Sequence, residues 1–399
     1  MVICDLMKVL YLHCVADLYG ASRCLLRLVE RLQAEGHETV TVLPYDGVLH
    51  DALLSVGGDV VLDEAMPILR RSCFKSIRGM TQLVCQYIRG VSRFERLIFD
   101  HHVDVVHTNS AITLAGGAAA HRCGVPHITH IRESFGEFGI LWHPYKRHIL
   151  ANSDRVICVS RAMTEQFGDS VPAQHKVTHV YDGFSPDDFN RVTDADVQLM
   201  RHRYELDAEG LRIVGLVGRI KWKRKGQETF VRAASQLVRD DPSLRFVMVG
   251  GAFPGNESHI EMTLKLIEEL GVKDQVLYLG ETHDIYPVMR MFDVAVMASG
   301  LPEPFGGVTI EAMALGLPVV GTSIGGTPEQ IEDGVTGLLV PPNEPEAMAY
   351  AIRSLLNDPA HSRAMGSAGR ERFIRCFSFE PHYMQMLSEY ERMIVNMQE

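Results

Sequence analysis

The sequence predicts an α/β protein built from two doubly wound domains, each a parallel β-sheet covered by helices on both faces. Short β-branched runs alternate with segments that are apolar at three- and four-residue steps from end to end. Continuous apolar strands separated by helices are typical of parallel sheets that are buried on both faces. A chain of 399 residues is also long enough to form two separate cores.

About six predicted strands fall in each half of the chain. In the first half they are 8–14, 39–43, 59–62, 104–107, 127–131 and 155–159. In the second half they are 212–217, 245–249, 276–279, 294–298, 318–321 and 337–340. The clearest helical patterns between them are 25–35, 228–238, 260–270 and 347–356. Each domain is therefore expected to carry a crevice at the carboxyl ends of its strands.

The stretch 184–211 is acidic, polar and poor in strand signals, which is typical of a linker between domains. We place an N-terminal domain at 1–184 and a C-terminal domain at 185–381. A final helix over 382–399 carries an apolar stripe that needs a partner. The sequence leaves open whether that helix packs back on the N-terminal domain.

Composition excludes several classes of protein. A formal charge of −11 excludes a general nucleic-acid binder, so an anionic ligand needs a local cluster of cations. With 46 % hydrophobic residues the chain is too apolar for disorder, and eight cysteines without a Cys-x-x-Cys pair indicate reduced thiols. The N-terminus lacks the pattern of a secretory signal, and the longest uncharged stretches have 17 residues. We expect a cytoplasmic protein that is a monomer or a weak homodimer.

A basic cluster follows the first predicted strand of the second half, in the segment GRIKWKRKG that runs from Gly218 to Gly226. Five of the seven residues 219–225 are Lys or Arg. Ligands of doubly wound domains bind at the carboxyl ends of strands. The helix that starts at Gly226 also presents its N-terminus, which attracts anions. The position of the cluster therefore favours an anion site over a solvated basic turn. Arg219 as a bidentate donor and Lys225 as a point charge suit a diphosphate. Neither a P-loop nor a Gly-x-Gly-x-x-Gly motif follows a strand.

Two glutamates, Glu303 and Glu311, are separated by seven residues after the predicted strand 294–298. Glu303 lies in the loop that follows the strand, and a helix is predicted to begin near Phe305. Glu311 comes four residues after Gly307, so it projects from the same helix face one turn further on. Two carboxylates beside a helix N-terminus can hold two different diols. The alternative, an exposed pair without function, fits less well with the surrounding Gly and Pro residues.

Together the segments GRIKWKRKG, EPFGGVTIEAMALGLPVV, GGTPEQI and DGVTGLLVPP resemble the retaining GT-B nucleotide-sugar glycosyltransferases of family four, the glycosyl transferases group 1. The resemblance covers nearly the whole chain and is most specific over 213–358. It implies two Rossmann-like domains that face each other across a cleft. It also implies a UDP-sugar or GDP-sugar as co-substrate, with no cofactor and no metal.

The resemblance assigns roles to residues of the second domain. Arg219 and Lys225 would bind the donor diphosphate, Glu303 the hydroxyls of the donor sugar and Glu311 the ribose diol. Arg219, Lys225 and Glu303 form the predicted catalytic set. The remaining predicted donor-binding residues line the sugar, the phosphates or the nucleobase: Gly218, Tyr278, Gly280, Phe305, Gly306 and Gly307.

In the first domain, Gly20 and Ala21 match the turn at which a Gly-Gly pair of the family usually precedes the first helix. Tyr19 replaces the first glycine here. The two backbone N–H groups would point toward the donor or the acceptor. A tight turn that needs one glycine is an equally good explanation.

The segment GVPHITHIRES departs from the family pattern. Arg132 and Glu133 stand where much of the family has His and Asp, and His130 lies two residues earlier. Arg132 is therefore a candidate for binding an anionic acceptor or the leaving phosphate, with Glu133 orienting it. Asn109, at the end of another strand, is a candidate for the same cleft. Each of these residues is as well explained as a structural strand-end residue.

Two further features involve aspartates at the end of the first domain and in the linker. Asp182 stands where the family commonly has Asn. The pair Asp194 and Asp196 matches the metal-binding Asp-x-Asp of a different glycosyltransferase class, but its place in the linker favours chance.

The segment 71–96 is a candidate membrane face because six Lys or Arg side chains accompany a row of apolar residues and Glu95 is its only acid. Gly79 and Gly90 are positions at which its helix could be interrupted. The alternative is an amphipathic helix that packs on the core and has a solvated basic back.

The sequence thus predicts a metal-independent retaining glycosyltransferase that acts on a glycan or a polyprenyl-linked acceptor by a front-face mechanism, in polysaccharide or glycoconjugate biosynthesis. A nucleotide-sugar epimerase on the same fold and a non-catalytic nucleotide-sugar binding protein are the alternatives.

Overall fold

The computed structural model describes residues 6–253, 255–283 and 285–398. The chain divides into two compact units. The first unit comprises the chain up to Gly183 together with the chain from Phe379 onward, and the second comprises Phe184–Ser378. The described part contains seven cysteines, and all of them are free thiols.

The first unit is built on a seven-stranded parallel sheet in the order β3-β2-β1-β4-β5-β6-β7. Its strands are β1 Lys8–Leu12, β2 Glu38–Leu43, β3 Asp59–Leu62, β4 Val105–Thr108, β5 His127–Ile131, β6 Arg155–Cys158 and β7 Val177–His179. The sequence did not predict β7. That strand has three residues, all of them half-buried, because it forms the edge of the sheet.

Helices cover both faces of this sheet. They are α1 Gly20–Ala34, α2 Val48–Ser55, α3 Ile77–Asp100, α4 Gly116–Cys123, α5 Trp142–Ala151, α6 Arg161–Thr164, α7 Val171–Lys176 and, at the end of the chain, α17 Phe379–Gln398. Short 3-10 turns lie at Arg71–Lys75, Gly136–Leu141 and Glu165–Phe167.

The last helix, α17, belongs to the core of the first unit. Tyr383, Met386 and Tyr390 are buried there among residues of α1 and of strands β1 and β4. Arg155 at the start of β6 makes a bidentate ion pair with Glu389 of α17 at 2.9 and 3.0 Å. The helix begins at Phe379 and not after the proline at position 381, because proline is tolerated in the first turn of a helix.

Helix α3 is continuous, so neither Gly79 nor Gly90 interrupts it. At Gly90 a Cβ atom would lie 3.0 Å from the ring of Pro67. This glycine therefore allows α3 to approach the preceding segment closely. Leu83, Val91 and Phe94 form part of the buried face of the helix.

The second unit has a six-stranded parallel sheet in the order β10-β9-β8-β11-β12-β13. Its strands are β8 Arg212–Val217, β9 Leu244–Val249, β10 Val276–Tyr278, β11 Val294–Met297, β12 Val319–Thr322 and β13 Leu338–Val340. Its helices are α8 Pro186–Asn190, α9 Asp194–Arg203, α10 Gln227–Asp240, α11 Ser258–Glu269, α12 Ile285–Arg290, α13 Gly307–Ala314, α14 Thr327–Gln330, α15 Pro345–Asn357 and α16 Pro359–Arg372, and a π-helical turn follows at Phe373–Phe377.

In each sheet the strand order reverses at one point, between β1 and β4 in the first unit and between β8 and β11 in the second. Loops that follow neighbouring strands diverge at such a point and leave a crevice at the carboxyl edge of the sheet. Both candidate sites are therefore expected at these edges.

The Asp-x-Asp pair has a structural role at the start of α9. Thr193 caps the helix, and Asp196 completes a capping box by accepting a hydrogen bond from the backbone N–H of Thr193 at 2.8 Å. The interpretation of this pair as a chance match to a metal motif is consistent with that role.

Candidate active site

Two glycines bring the ends of β8 and β9 together in the second unit. Gly218 and Gly250 follow these strands with φ angles of 145° and 133°. A Cβ atom on Gly250 would lie 2.2 Å from the carbonyl oxygen of Gly218, so only glycine fits there. The carboxyl edge of the sheet consequently has a floor of half-buried glycine backbone, without side chains, that a ligand can approach closely.

The basic loop, residues 219–225, turns back toward the end of β11 before α10 begins. Gly226 caps α10 with φ of 71°, and a Cβ atom there would lie 1.7 Å from the carbonyl oxygen of Ala298. Gln227, which is fully buried, donates to the carbonyl oxygen of Arg219 at 3.2 Å and accepts from the backbone N–H of Lys221 at 3.3 Å. The basic loop is therefore fixed to the helix that follows it.

Lys225 and Glu303 are in direct contact although 78 residues separate them in sequence. The Nζ atom of Lys225 lies 2.9 Å from Oε2 of Glu303, and their side chains are 22 % and 12 % exposed. Ser299, at the end of β11, donates to Oε1 of Glu303 at 3.4 Å. The structure thus brings a predicted cation and a predicted acid together where β8 and β11 end side by side.

Positive charge is concentrated around this pair. Burial and repulsion by the neighbouring cations Arg224, Arg219 and Lys225 lower the pKa of Lys221, while Glu303 acts in the opposite direction. The guanidinium of Arg219 lies 5.6 Å from the centre of the Phe253 ring. A bound anion would relieve the repulsion among the cations of the basic loop.

The N-terminus of α13 lies next to Glu303 in sequence. Gly306 caps this helix and Gly307 begins it. Gln330 donates to the carbonyl oxygen of Gly306 at 3.3 Å and so holds the cap in place. Glu311, half-buried, lies one turn into the helix on the face of Gly307.

Phe305 and Tyr278 are both engaged within the second unit. The ring of Phe305 packs 6.0 Å from that of Phe377. The hydroxyl of Tyr278 donates to the carbonyl oxygen of Gly250 at 2.9 Å, and the backbone N–H of Gly250 donates to the carbonyl oxygen of Gly280 at 2.8 Å. Tyr278 and Gly280 therefore border the same glycine floor as Gly218.

In the first unit, Gly20 and Ala21 form the first turn of α1, after the exposed cap residue Tyr19. Asp17 accepts hydrogen bonds from the backbone N–H of Tyr19 at 3.1 Å and from the hydroxyl of Ser22 at 3.0 Å. No heavy atom of the described chain would lie within 4 Å of a Cβ atom on Gly20. The turn itself therefore does not require glycine at this position.

Arg132 is held by Asp182 and not by Glu133 as the sequence suggested. Its NH1 group lies 2.7 and 2.6 Å from the two carboxylate oxygens of Asp182, and its Nε donates to Oδ1 of Asn109 at 3.3 Å. Burial acts against the charge of the guanidinium, but Asp182 outweighs it and raises the pKa of Arg132. The two departures from the family pattern, at 132 and 182, are thus partners in one mostly buried ion pair, with side chains that are 10 % and 17 % exposed.

Glu133 binds the neighbouring loop. Its carboxylate accepts hydrogen bonds from the hydroxyl of Ser110 and from the backbone N–H groups of Ala111 at 3.3 Å and Arg132 at 3.0 Å. Burial raises the pKa of this carboxyl group. Glu133 therefore ties the end of β5 to the end of β4.

His130 lies in the buried interior of the unit. It is 1 % exposed, its ring is stacked 5.5 Å from that of His107, and neither ring nitrogen has a hydrogen-bond partner among the described residues. Burial lowers the pKa of the half-buried His148 and of four histidines in the interior of the first unit; these four buried histidines are His13, His107, His127 and His130. They are neutral at physiological pH.

Sequence reasoning missed the contacts that Cys24 and His382 make beside Arg132. The Sγ atom of Cys24 lies 3.4 Å from Oδ1 of Asp182 and 3.4 Å from Nε2 of His382. These three side chains are close enough to hold a metal ion, but the guanidinium of Arg132 already neutralises Asp182. The two departures from the family pattern were the only sequence signal for this network.

Two family models match the chain. The model of glycosyl transferases group 1 matches residues 201–372, and the model of glycosyltransferase family 4 matches residues 19–188. The first match contains the basic loop and both glutamates. The second contains the turn at Gly20 and the ion pair of Arg132 with Asp182.

Two similar proteins are bacterial glycosyltransferases. A GDP-mannose-dependent alpha-(1-6)-phosphatidylinositol monomannoside mannosyltransferase of Mycolicibacterium smegmatis is 32 % identical over 75 % of this chain and 79 % of its own length. A D-inositol 3-phosphate glycosyltransferase of Salinispora tropica is 29 % identical over 77 % of this chain and 67 % of its own length.

The fold is also that of a solved structure, Anabaena Alr3699/HepE in complex with UDP, with a TM-score of 0.80 at 23 % identity over 97 % of this chain and 100 % of that chain. Among the described helices, none combines the length and the apolar character needed to cross a membrane. These findings confirm the predicted GT-B fold with its two Rossmann-like domains. The chain belongs to the group 1 glycosyltransferases, enzymes that transfer a sugar from a nucleotide-sugar donor.

Proposed function

We propose that this enzyme is a retaining glycosyltransferase that needs no metal ion and moves a sugar from a UDP-sugar or GDP-sugar to a hydroxyl of a glycan or a lipid-linked acceptor. The observation that carries the proposal is the contact between Lys225 and Glu303 at the adjoining ends of β8 and β11. This contact supports the proposal because a cation suited to phosphate and a carboxylate suited to hydroxyls lie within the span of one nucleotide-linked sugar.

The basic loop takes the part of the leaving-group stabiliser in this proposal. Arg219 and Lys225 bind the donor diphosphate and neutralise the charge that grows on it as the glycosidic bond breaks. A single cation about 4 Å from a phosphate oxygen contributes ~4 kcal/mol before desolvation at an effective dielectric constant of ~20. The backbone N–H groups of Gly306 and Gly307 at the start of α13 add to this attraction.

The carboxylates hold the hydroxyls of the donor. Glu303 binds the transferred sugar, and Glu311, one turn into α13, binds the ribose diol. A hydrogen bond between a hydroxyl and a charged group contributes ~1.5–3 kcal/mol, so the two residues together orient the donor along the carboxyl edge of the sheet.

The proposed route is a front-face displacement. The acceptor oxygen approaches the anomeric carbon on the side from which the diphosphate leaves, and the new glycosidic bond forms on that same side. The leaving phosphate oxygen accepts the proton of the acceptor hydroxyl. The products are the glycoside with retained configuration and a nucleoside diphosphate.

The names of similar proteins support both candidate nucleotides. The mycolicibacterial relative is named for GDP-mannose, and the Anabaena protein was solved with UDP. A role in polysaccharide or glycoconjugate biosynthesis fits the mannosyl lipid named as the substrate of the first.

A thermal-shift panel of UDP, GDP, ADP and their sugars tests the donor assignment. A ligand at 100 times its dissociation constant adds ~2.7 kcal/mol to the free energy of unfolding, which raises the melting temperature measurably. We expect one nucleotide and its sugar to raise it. Stabilisation by none of them would overturn the proposal.

Nuclear magnetic resonance of the reaction separates the alternatives and determines the stereochemistry. An epimerase converts the donor with no acceptor present, and a non-catalytic binding protein releases no nucleotide. We expect transfer with retained anomeric configuration, and we expect the rate to be unchanged by a chelator. An inverted product, or loss of turnover that added Mg²⁺ restores, would refute the corresponding part of the mechanism.

We also propose that the outer face of α3 contacts an anionic membrane. Ile77 and Ile88 are eleven residues apart and so lie on the same face of the helix. They are 87 % and 62 % exposed, and Val84 between them is exposed as well. Arg78 and Arg89 are exposed on the same helix. An apolar row flanked by cations suits the interface of an anionic bilayer.

Sedimentation with vesicles tests this contact. We expect binding to phosphatidylglycerol vesicles but not to phosphatidylcholine vesicles, and we expect the variant Ile77→Ser/Ile88→Ser to lose it. Leu199→Ser, at an exposed leucine of the second unit, is the matched control. Equal binding of all three proteins to both kinds of vesicle would contradict a role for α3.

A further inference from the structure

A pocket of about 290 Å³ opens in the first unit, at the carboxyl ends of β2 and β3 and beside the first turns of α3. Its floor is apolar, formed by the buried side chains of Met66 and Ile68. Its rim is polar and is formed by Tyr45, Glu64, Arg70, Ser72, Gln82 and Gln86. Three of them, Ser72, Gln82 and Gln86, lie in the segment 71–96, which the sequence indicated only as a candidate membrane face.

Hydrogen bonds hold the walls of the pocket in place. Arg93 of α3 pairs with Asp63 at 2.9 Å and donates to the carbonyl oxygen of Ala65 at 2.9 Å. On the other side the backbone N–H of Leu69 donates to the carbonyl oxygen of Ile112 at 2.8 Å. The segment between β3 and α3 is therefore fixed both to α3 and to the loop that follows β4, so the walls of the pocket are held in place by hydrogen bonds.

The rim has the chemistry of a sugar site. Gln82 and Gln86 are four residues apart, so both amides project from one face of α3. Tyr45 offers an aromatic ring that is 45 % exposed. In the described part of the chain these three side chains have no hydrogen-bond partner, so their donors and acceptors are available to hydroxyl groups.

The charges on the rim and the volume of the pocket indicate which class of ligand fits it. Glu64 and Arg70 contribute one negative and one positive charge to the rim, so the pocket does not select an anion as the basic loop does. A volume of about 290 Å³ is just below the ~300–1,000 Å³ typical of ligand sites. That suits one or two sugar rings better than a complete nucleotide-sugar.

We propose that this pocket is a binding subsite for a sugar unit of the acceptor, an inference that rests on the proposed transferase function. The amides of Gln82 and Gln86 bind hydroxyls, and the ring of Tyr45 packs on the apolar face of the sugar above Met66 and Ile68. The sugar can belong to a soluble glycan or to the headgroup of a glycolipid. The exposed apolar row of α3 lies on the same helix as the two glutamines and favours the lipid source.

Saturation-transfer nuclear magnetic resonance tests the subsite. The probes are the methyl glycosides of mannose, glucose, galactose and N-acetylglucosamine together with myo-inositol, each at millimolar concentration. We expect at least one probe to bind the wild-type protein and to lose tenfold or more in affinity in Gln82→Ala/Gln86→Ala and in Tyr45→Ala. Ser92→Ala, an exposed position on the same helix outside the pocket, is the matched control.

Two results would overturn the proposal: no probe binds the wild-type protein, or the bound probe is retained by both pocket variants. Phosphatidylcholine vesicles that carry mannosyl-, glucosyl- or galactosyl-diacylglycerol distinguish the sources of the sugar. A glycolipid acceptor is used from vesicles far better than the matching methyl glycoside, whereas a soluble glycan acceptor shows no such preference.

Steady-state kinetics separate this inference from the proposed function. With an acceptor that supports transfer, the pocket variants should raise the acceptor KM tenfold or more and leave kcat within threefold, because the pocket binds ground state and transition state alike. Thermal shifts by UDP and GDP should be unchanged in these variants. If nucleotides stabilise the protein but no sugar probe binds, only the subsite is refuted; if no nucleotide binds, the donor assignment itself fails.

Discussion

Replacing Lys225 by alanine removes a cation that is paired with Glu303. The Nζ atom lies 2.9 Å from that carboxylate, and the side chain is only 22 % exposed, so water cannot fully replace it. In the proposed mechanism the same ammonium group binds the leaving diphosphate. Loss of one such preorganised donor typically costs ~2.7–4 kcal/mol of transition-state stabilisation, or about 10²–10³ in kcat. We expect Lys225→Ala to lose that factor in kcat/KM.

Lys223→Ala is the matched control for this experiment, because Lys223 lies in the same basic loop and is exposed. The assay is the initial rate of nucleoside diphosphate release with saturating acceptor, together with titration calorimetry of UDP and GDP. We expect Lys223→Ala to stay within threefold of the wild-type rate. A rate for Lys225→Ala within threefold of wild type, or equal losses in the two variants, would refute the assignment of Lys225.

Three further predictions concern the carboxylate, the buried ion pair and pH. Glu303→Gln should lower kcat by about 10²-fold or more. Calorimetry should show that UDP or GDP binding is unchanged or tighter, since the carboxylate holds the sugar and not the diphosphate. Loss of nucleotide affinity with normal turnover would contradict this role. Arg132→Met leaves Asp182 without its cation, so urea denaturation should show that the free energy of unfolding falls by about 3–5 kcal/mol. Adding Asp182→Asn should restore part of that free energy. A fall below about 1 kcal/mol would contradict a structural role for the pair. Burial lowers the pKa of His13 to about 3, and it lowers that of the other three buried histidines as well, so the unfolded chain takes up their protons below about pH 6.5. Each of the four buried histidines then lowers the free energy of unfolding by about 2 kcal/mol between pH 7 and pH 5. His382, whose pKa is raised mainly by Cys24 against the effect of burial, acts in the opposite direction but offsets less than one of the four. Equal urea midpoints at the two pH values would contradict the sign of the net effect.

Much of the fold could be predicted because strands in a doubly wound domain are continuous apolar runs. The strand 212–217 was predicted with the bounds that β8 has in the structure. The strand predicted at 8–14 ends at Leu12, although the N–H of His13 still bonds to the carbonyl oxygen of Val42. The edge strand β7 carries no such apolar run, so the pattern that identified the other strands gave no signal for it.

Lys225 and Glu303 could be singled out from local sequence, since each lies in the loop that follows an apolar strand. Their contact follows from the sheet, because β8 and β11 are neighbours at the point where the strand order reverses. Local sequence predicted that each residue lies in a strand-end loop, and the family resemblance implied that both bind one nucleotide-linked sugar; the strand order that brings them into contact is known from the structure.

Contacts between distant elements could not be predicted in this way. Arg132 and Asp182 were each noted as departures from the family pattern, but no periodicity links two residues that are 50 positions apart. The polar pocket at β2 and β3 is assembled from two strand ends, a 3-10 turn and one helix face, none of which carries a motif. Both features depend on tertiary packing that a single sequence does not encode locally.

The most direct test of the account is a crystal structure of the protein with an intact UDP-sugar or GDP-sugar. We expect the diphosphate oxygens within hydrogen-bond distance, ~3 Å, of the Lys225 ammonium and the Arg219 guanidinium. The sugar hydroxyls should lie on Glu303 and the ribose diol on Glu311. A donor bound on any other surface, with these four side chains untouched, would contradict the central claim.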